Sequence, residues 1–139
     1  MGFVAAVLLG TGLAFGAAAA PSSPSPIGIQ LNRLDDHGGN CRASFVITNP
    51  GPEAFTGFRL DLVMFDKGGT ITRRLAVDIA PLLADKTSVK IFDIPQISCA
   101  GIGSMLINDV LDCRDAKGPV ADCVGRVTPT SKLPVKLMK

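Results

Sequence analysis

The chain has 139 residues, a length that suits one domain, and 47% of them are hydrophobic. Its 14 basic and 12 acidic residues give a net charge of +2 without any basic run, so the charge gives no indication of nucleic-acid binding. Trp and Tyr are absent, which leaves only Phe for stacking and argues against a site for sugars or bases.

Residues 1–20 predict a secretory signal peptide. They carry no charge and end in small residues, and we expect cleavage after Ala19 or a neighbouring alanine. The usual basic residue near the start is missing. An uncleaved membrane anchor is the alternative, because about 20 apolar residues can span a bilayer. No Cys lies in the cleavage zone, so a bacterial lipoprotein anchor is not indicated.

Residues 21–26, with the sequence PSSPSP, predict a short extended linker. After it, Ile27, Ile29 and Leu31 alternate with small or polar residues, which predicts an opening strand. Residues 35–40 are polar and predict a turn. We therefore predict a single domain over residues 27–139.

Residues 41–68 predict two strands on which the domain is organised. The expected inward rows are Cys41, Ala43, Phe45 and Ile47 in the first strand and Phe58, Leu60, Leu62 and Met64 in the second. Residues 49–52, NPGP, predict a turn, because Pro50 disfavours a helix and Gly51 can take positive φ. This connection is longer than a two-residue hairpin, so the two strands need not be neighbours.

The later part of the chain predicts further strands. After a tight turn at residues 66–69 we expect a strand over 70–79, with Arg73 and Arg74 as solvated features of an edge strand. Its inward row is expected to be Ile71, Leu75, Val77 and Ile79. For the strand over 87–94 we expect Val89 and Ile91 to point inward and Ser88 and Lys90 outward.

The C-terminal part also favours β structure. Residues 104–113 favour a strand over a short helix, because Gly101 and Gly103 precede them and the preceding elements are strands. In residues 124–139, Pro129 and Pro134 allow at most one or two short edge strands. Together these patterns predict an all-β, immunoglobulin-like antiparallel sandwich of about seven strands.

Four cysteines, an even number, indicate an oxidising compartment. Their spacing contains no Cys-x-x-Cys pair, which argues against a zinc site. Cys113 and Cys123 flank a polar loop and favour a disulfide with each other, which leaves Cys41–Cys99 as a long-range disulfide. Four cysteines allow three connectivities, so the other two pairings remain open.

Two runs resemble a known family. FVITNPGPEAFTGFRLDLVMFDKGGTI (residues 45–71) and LLADKTSVKIFDI (residues 82–94) resemble bacterial extracytoplasmic immunoglobulin-like modules of the FxLYD type. The signal-like start and the C-terminal cysteine pair are also similar to those of small exported alphaproteobacterial proteins. The resemblance implies a fold and a compartment, and it brings no functional residues. The four cysteines are not part of the FxLYD pattern.

Few residues suggest catalysis. His37 lies beside Asp35 and Asp36, which raises the hypothesis of a metal-dependent hydrolase, but consecutive residues on a turn do not converge and a solvated turn is favoured. The linker serines are poor nucleophiles, and the nucleophile motif G-x-S-x-G is absent. Likewise, Gly101 and Gly103 lack the context of a phosphate-binding loop.

One acidic group is a second candidate site. It consists of Asp109, Asp112, Asp115 and Asp122. These carboxylates raise the hypothesis of weak Ca²⁺ binding, but the EF-hand spacing is absent, and solvation of the loop or pairing with Arg114 and Lys117 is favoured. We therefore expect neither a metal nor a cofactor.

These observations favour a non-enzymatic interaction or structural module that is periplasmic or secreted. It would bind a protein partner of the cell envelope through a strand edge or an apolar patch. A membrane-anchored accessory subunit of an envelope complex is the alternative if residues 1–20 are not cleaved. The hydrolase hypothesis would regain support if His37 lay in a pocket with two convergent carboxylates.

Overall fold

A computed structural model describes residues 1–2, 10–18 and 24–139. Its strands are β1 (Ile27–His37), β2 (Asn40–Asn49), β3 (Phe55–Phe65), β4 (Ile71–Asp78), β5 (Lys86–Ile94), β6 (Ser104–Asp115), β7 (Gly118–Pro119), β8 (Val127–Ser131) and β9 (Lys136–Met138). A 3-10 turn covers Cys99–Gly101 and a short helix, α1, covers Cys123–Arg126. The predicted signal peptide and linker include residues 3–9 and 19–23, which lie outside the described residues, so both stay predictions.

The strands form two sheets that pack as a sandwich, which confirms the predicted all-β fold class. The first sheet has the order β5-β2-β1-β8, and the second has the order β4-β3-β6-β7 with β9 also paired to β6. Two pairs differ from the predicted antiparallel arrangement, because β8 runs parallel to β1 and β9 runs parallel to β6. Alternation of side chains predicts a strand but not its direction relative to a neighbour, so no local pattern indicates this difference.

The core lies between the inward faces of β2 and β3, as predicted. Phe45 on β2 and Phe58 on β3 are fully buried, and both predicted inward rows are buried along their whole length. Phe55 and Phe58 pack edge to face with their ring centroids 5.5 Å apart. The two central strands lie in different sheets, which agrees with a connection too long for a simple hairpin.

Asn49 organises the connection between β2 and β3. Its side chain is buried, and its amide group donates to the main-chain oxygens of Glu53 (2.7 Å) and Leu83 (3.0 Å). Its side-chain oxygen accepts a hydrogen bond from the main-chain N–H of Gly51. Because the hydrogen-bonding groups of this buried amide have partners, Asn49 stabilises the segment that connects the two sheets.

The turn between β1 and β2 is shorter than predicted. It consists of Gly38 and Gly39, with φ angles of 58° and 82°, and the strands continue through the residues that were predicted as a six-residue turn. Two residues at positive φ are typical of a tight hairpin. The pairing of β1 with β2 continues up to this turn, with Asp35 opposite Arg42 and Asp36 opposite Cys41.

The turn between β3 and β4 is confirmed, but one residue after it is placed differently. The side-chain oxygen Oδ1 of Asp66 accepts from the main-chain N–H groups of Gly68 and Thr70, both at 2.9 Å. Ile71 is exposed and does not join the core, so its predicted inward position is wrong. The register of the β3–β4 pair shifts between Met64 and Phe65. Ile71, which lies opposite Phe65, therefore falls outside the regular inward and outward alternation of the strand.

The outer face of the second sheet contains a buried charge that the sequence analysis missed. Arg74 donates from Nε and Nη2 to the two carboxylate oxygens of Asp61, at 2.8 and 2.7 Å, and Asn108 donates to the same group at 2.8 Å. β4 is an edge strand as predicted, but Arg74 is an ion-pair partner and not only a solvated residue. Arg73 likewise donates to the main-chain oxygens of Pro95 and Gln96.

Two disulfides connect the elements. Cys41 on β2 is bonded to Cys99 in the 3-10 turn, and Cys113 on β6 is bonded to Cys123 at the start of α1. These are the pairs that the sequence analysis favoured. Disulfides indicate an oxidising environment. No helix within residues 1–2, 10–18 and 24–139 is long and apolar enough to cross a bilayer.

Candidate functional site

β5 is an edge strand, and its inward and outward faces are the reverse of those predicted. Val89 and Ile91 point outward, and Lys90 and Ser88 lie on the inward side. The reason is at the end of the strand, where Ile94 is buried opposite Cys41 and Phe92 packs against Phe45 at a centroid distance of 5.2 Å. Because side chains alternate in a strand, these two inward residues place Val89 and Ile91 on the outer face.

The outward residues form a small apolar surface, which we call the β5 patch and define as Val46, Val89 and Ile91. The side chains of Val89 and Ile91 are 61% and 58% exposed. Val46 lies directly opposite Val89 on β2 and is half-buried. Val89 and Ile91 occupy alternate positions of one strand, so with Val46 they form one contiguous apolar area on the outer face of the first sheet.

The outer face around the β5 patch carries no charge over most of its area. It is formed by alternate residues of β5, β2, β1 and β8: Thr87, Val89, Ile91, Ser44, Val46, Thr48, Gly28, Gln30, Thr128 and Thr130. Charged side chains begin at one end, where Arg33 lies opposite Ser44 and Arg42 lies opposite Asp93. A partner surface here would therefore meet aliphatic and hydroxyl groups, with charges only at the rim.

The backbone of β5 is available on one side. Within residues 24–139, β5 pairs only with β2, and no main-chain hydrogen bond joins it to another element. In an antiparallel pair, alternate residues direct their N–H and C=O groups away from the neighbouring strand. Half of the main-chain groups of β5 thus form an open edge that can accept another strand.

Other edges of the described sheets carry features that oppose the addition of a strand. β4 contains Arg73 and Arg74, β8 contains Pro129, and β7 and β9 have two and three residues. Charge, proline and short length all discourage such pairing. β5 has nine residues and no Pro. Its central Lys90 is an inward-pointing charge, which also discourages strand addition, but its Nζ lies 3.3 Å from the main-chain oxygen of Ala80 and is hydrogen-bonded within the domain.

His37 does not form the catalytic group that the alternative hydrolase hypothesis would require. Its Nδ1 lies 3.6 Å from Oδ2 of Asp93, while Asp35 pairs with Arg33 and Asp36 accepts the main-chain N–H of Cys99. Arg42 donates to both oxygens of Asp93, and these hydrogen bonds lower the pKa of that carboxyl although desolvation opposes the shift. One carboxylate, already held by an arginine, faces the imidazole, and the convergent pair that a hydrolase would need is not formed.

The acidic group lies around the second disulfide, where a cleft of about 530 Å³ is lined in part by Asp109, Asp112 and Asp122. Arg114 is bonded to Asp112, as favoured by the sequence, with Nε 3.0 Å from Oδ1. Asp115 lies outside the cleft lining and accepts the main-chain N–H of Lys117. No group of three or more His, Cys, Asp or Glu in the described part of the chain is arranged to hold a metal ion.

Comparisons with known proteins add no relative. A scan against protein-family models, a search of curated proteins and a search of solved structures each found no significant match to the chain.

Proposed function

We propose that this chain is a non-enzymatic interaction module of the periplasm or the extracellular space, with an immunoglobulin-like fold, that binds an extended segment of a protein partner along β5. The observation that carries the proposal is the exposure of Val89 and Ile91 on a nine-residue edge strand whose outer side has no neighbour among the described residues.

The proposed mode of binding is the addition of an antiparallel strand. The open main-chain groups of β5 provide hydrogen bonds, and alternate side chains of the partner contact the outer face beside Val89 and Ile91. Those partner side chains should be aliphatic or hydroxyl-bearing, since an unpaired charge buried against this uncharged face would be unfavourable. The protein therefore recognises an extended, uncharged segment and performs no bond-making step.

Four features support the proposed compartment and the proposed absence of catalysis. The two disulfides favour an oxidising environment, and the apolar start of the chain is typical of an export signal. The resemblance to FxLYD-type modules supports the same compartment. The engagement of Asp35 by Arg33 and of Asp36 by the main-chain N–H of Cys99 favours a binding module over the hydrolase alternative.

A photo-crosslinking experiment tests the proposal. A benzophenone amino acid is placed at position 89 of the full chain, and in a second variant at position 111, where Leu111 is 55% exposed on the other sheet. We expect a discrete covalent adduct from position 89 in cells that export the protein, and roughly tenfold less of it from position 111, because Leu111 lies on β6 in the second sheet, away from β5.

Mass spectrometry of the adduct completes the test. The crosslinked partner peptide should be a segment with alternating uncharged side chains, and the charged variant Val89→Asp/Ile91→Asp should fail to compete for it, whereas Leu111→Asp should compete like the unmodified chain. Equal adducts from positions 89 and 111, or none from position 89, would show that β5 is not the binding surface.

A further inference from the structure

We infer that the strand added to β5 is β5 of a second copy of this chain, paired antiparallel about a twofold axis at Val89. This inference rests on the proposed function, because it takes β5 to be the binding edge and names the occupant. It follows from the order of residues on β5, Lys86-Thr-Ser-Val-Lys-Ile-Phe-Asp-Ile94, and from the direction in which each side chain points.

The register centred on Val89 is self-complementary. On the outer face, Val89 would lie opposite Val89 of the second copy and Ile91 opposite its Thr87. On the inward side, Lys90 would lie opposite its Ser88. Lys86 would lie opposite its Phe92, so no like charges face each other among residues 86–92, and Asp93 would lie opposite Asp85, which precedes the strand.

The neighbouring symmetric registers are less favourable. An axis at Lys90 would place two lysines directly opposite each other, and like charges in that position are destabilising. An axis at Ile91 would place Val89 opposite Asp93 of the second copy, so that an aliphatic side chain would face a carboxylate. The register at Val89 avoids both arrangements.

The same register joins the two β5 patches. Val46 lies opposite Val89 within one copy, so a twofold axis at Val89 would produce a continuous row of four valines across the joint, with Ile91 of each copy beside it. The two first sheets would become one eight-stranded sheet whose outer face is uncharged along the row through Val89, and the open β5 edge of each copy would be paired. One strand pair buries less area than a standard interface of about 1,600 Å², so the dimer should be weak and depend on concentration.

Exchange of charges at the axis provides a specific test. A residue on a twofold axis faces its own copy, so Val89→Lys alone would oppose lysine to lysine and Val89→Asp alone would oppose two carboxylates. We expect sedimentation velocity of the full, oxidised chain to show a concentration-dependent dimer, each variant alone to have a dimer dissociation constant roughly tenfold higher or more, and an equimolar mixture of the two variants to regain the dimer.

The controls separate this inference from folding and from the proposed function. Val89 is largely exposed, so both variants should keep the thermal midpoint of the unmodified chain, and Leu111→Lys should dimerise normally. A monomeric unmodified chain, a variant that dimerises as well as the unmodified chain, or a mixture that gains nothing over its components would overturn the inference. If the chain stays monomeric while position 89 crosslinks to another protein, only the second copy is refuted and the proposed function stands.

Discussion

Removal of the Cys41–Cys99 disulfide by the double substitution Cys41→Ala/Cys99→Ala should lower the free energy of unfolding by about 4 kcal/mol. The bond joins residues 58 apart in sequence, and the entropy that it removes from the unfolded chain grows with the length of the closed loop. It also attaches the 3-10 turn to β2, next to the hydrogen bond from the main-chain N–H of Cys99 to Asp36. Urea unfolding at neutral pH measures the change.

The second disulfide is the matched control. Cys113 and Cys123 are only 10 residues apart, so Cys113→Ala/Cys123→Ala should cost about 3 kcal/mol, less than loss of the long-range bond. Both double variants remove two sulfur atoms and leave no unpaired thiol from the bond removed. If the variant without Cys113–Cys123 were the less stable of the two, loop closure would not be the main effect of these disulfides.

Substitution Asp61→Asn should lower the free energy of unfolding by about 2–3 kcal/mol. The Asp61 carboxylate is almost fully buried on the outer face of the second sheet and accepts hydrogen bonds from Arg74 and Asn108 on its two neighbouring strands. An asparagine amide would direct its N–H₂ group at one of these donors and remove the charge that pairs with Arg74. Breaking a fully buried pair costs about 3–5 kcal/mol, and the smaller value is expected here because Arg74 is 64% exposed and can be hydrated.

The same residue predicts a dependence on pH. The hydrogen bond from Arg74 lowers the pKa of Asp61 below its ordinary value of 3.8, and the bond from Asn108 acts in the same direction, while desolvation opposes them. A carboxyl with a lowered pKa in the folded state stabilises the fold fully above the pKa of the unfolded state. That contribution is lost as the pH falls below 3.8 and through the folded-state pKa.

Urea unfolding of both proteins near neutral pH and in acid tests this account. The difference in free energy between the unmodified chain and Asp61→Asn should shrink as the pH falls below about 4. Asp112→Asn is the control, since Asp112 forms a more exposed pair with Arg114 and should have a small effect at any pH. A difference for Asp61→Asn that does not change with pH would show that the charge of Asp61 contributes nothing.

The sequence predicted the centre of the fold because the signal there is unambiguous. In β2 and β3 one face is consistently apolar, so period-two alternation identifies the inward rows without knowledge of neighbours. In β5 both faces are partly apolar, with Val89 and Ile91 on one and Phe92 and Ile94 near the end of the other. Only the packing of Phe92 on Phe45 and the register opposite Cys41 decide between them, and both are tertiary contacts.

The candidate site was missed for the same reason that Asp61 was missed. Val89 is exposed because β5 has β2 on one side and, in the described chain, no strand on the other. A local sequence pattern does not indicate which strands become neighbours. Asp61 sits between two leucines, and its partners come from β4 and β6, 13 and 47 residues away. For His37 the sequence neighbours were misleading. Asp35 and Asp36 are held by other groups, and the carboxylate that His37 contacts is that of Asp93 on β5.

Residue-resolved amide exchange of β5 is the most direct test of the claim that this strand is the binding edge. It should be measured by NMR for the free chain and for the complex, whether that complex is a dimer or contains another protein. We predict that the outward-facing amides of β5 exchange quickly in the free chain and become protected in the complex, while β4 and β8 are unchanged. A complex in which β5 amides exchange as they do in the free chain would contradict the account.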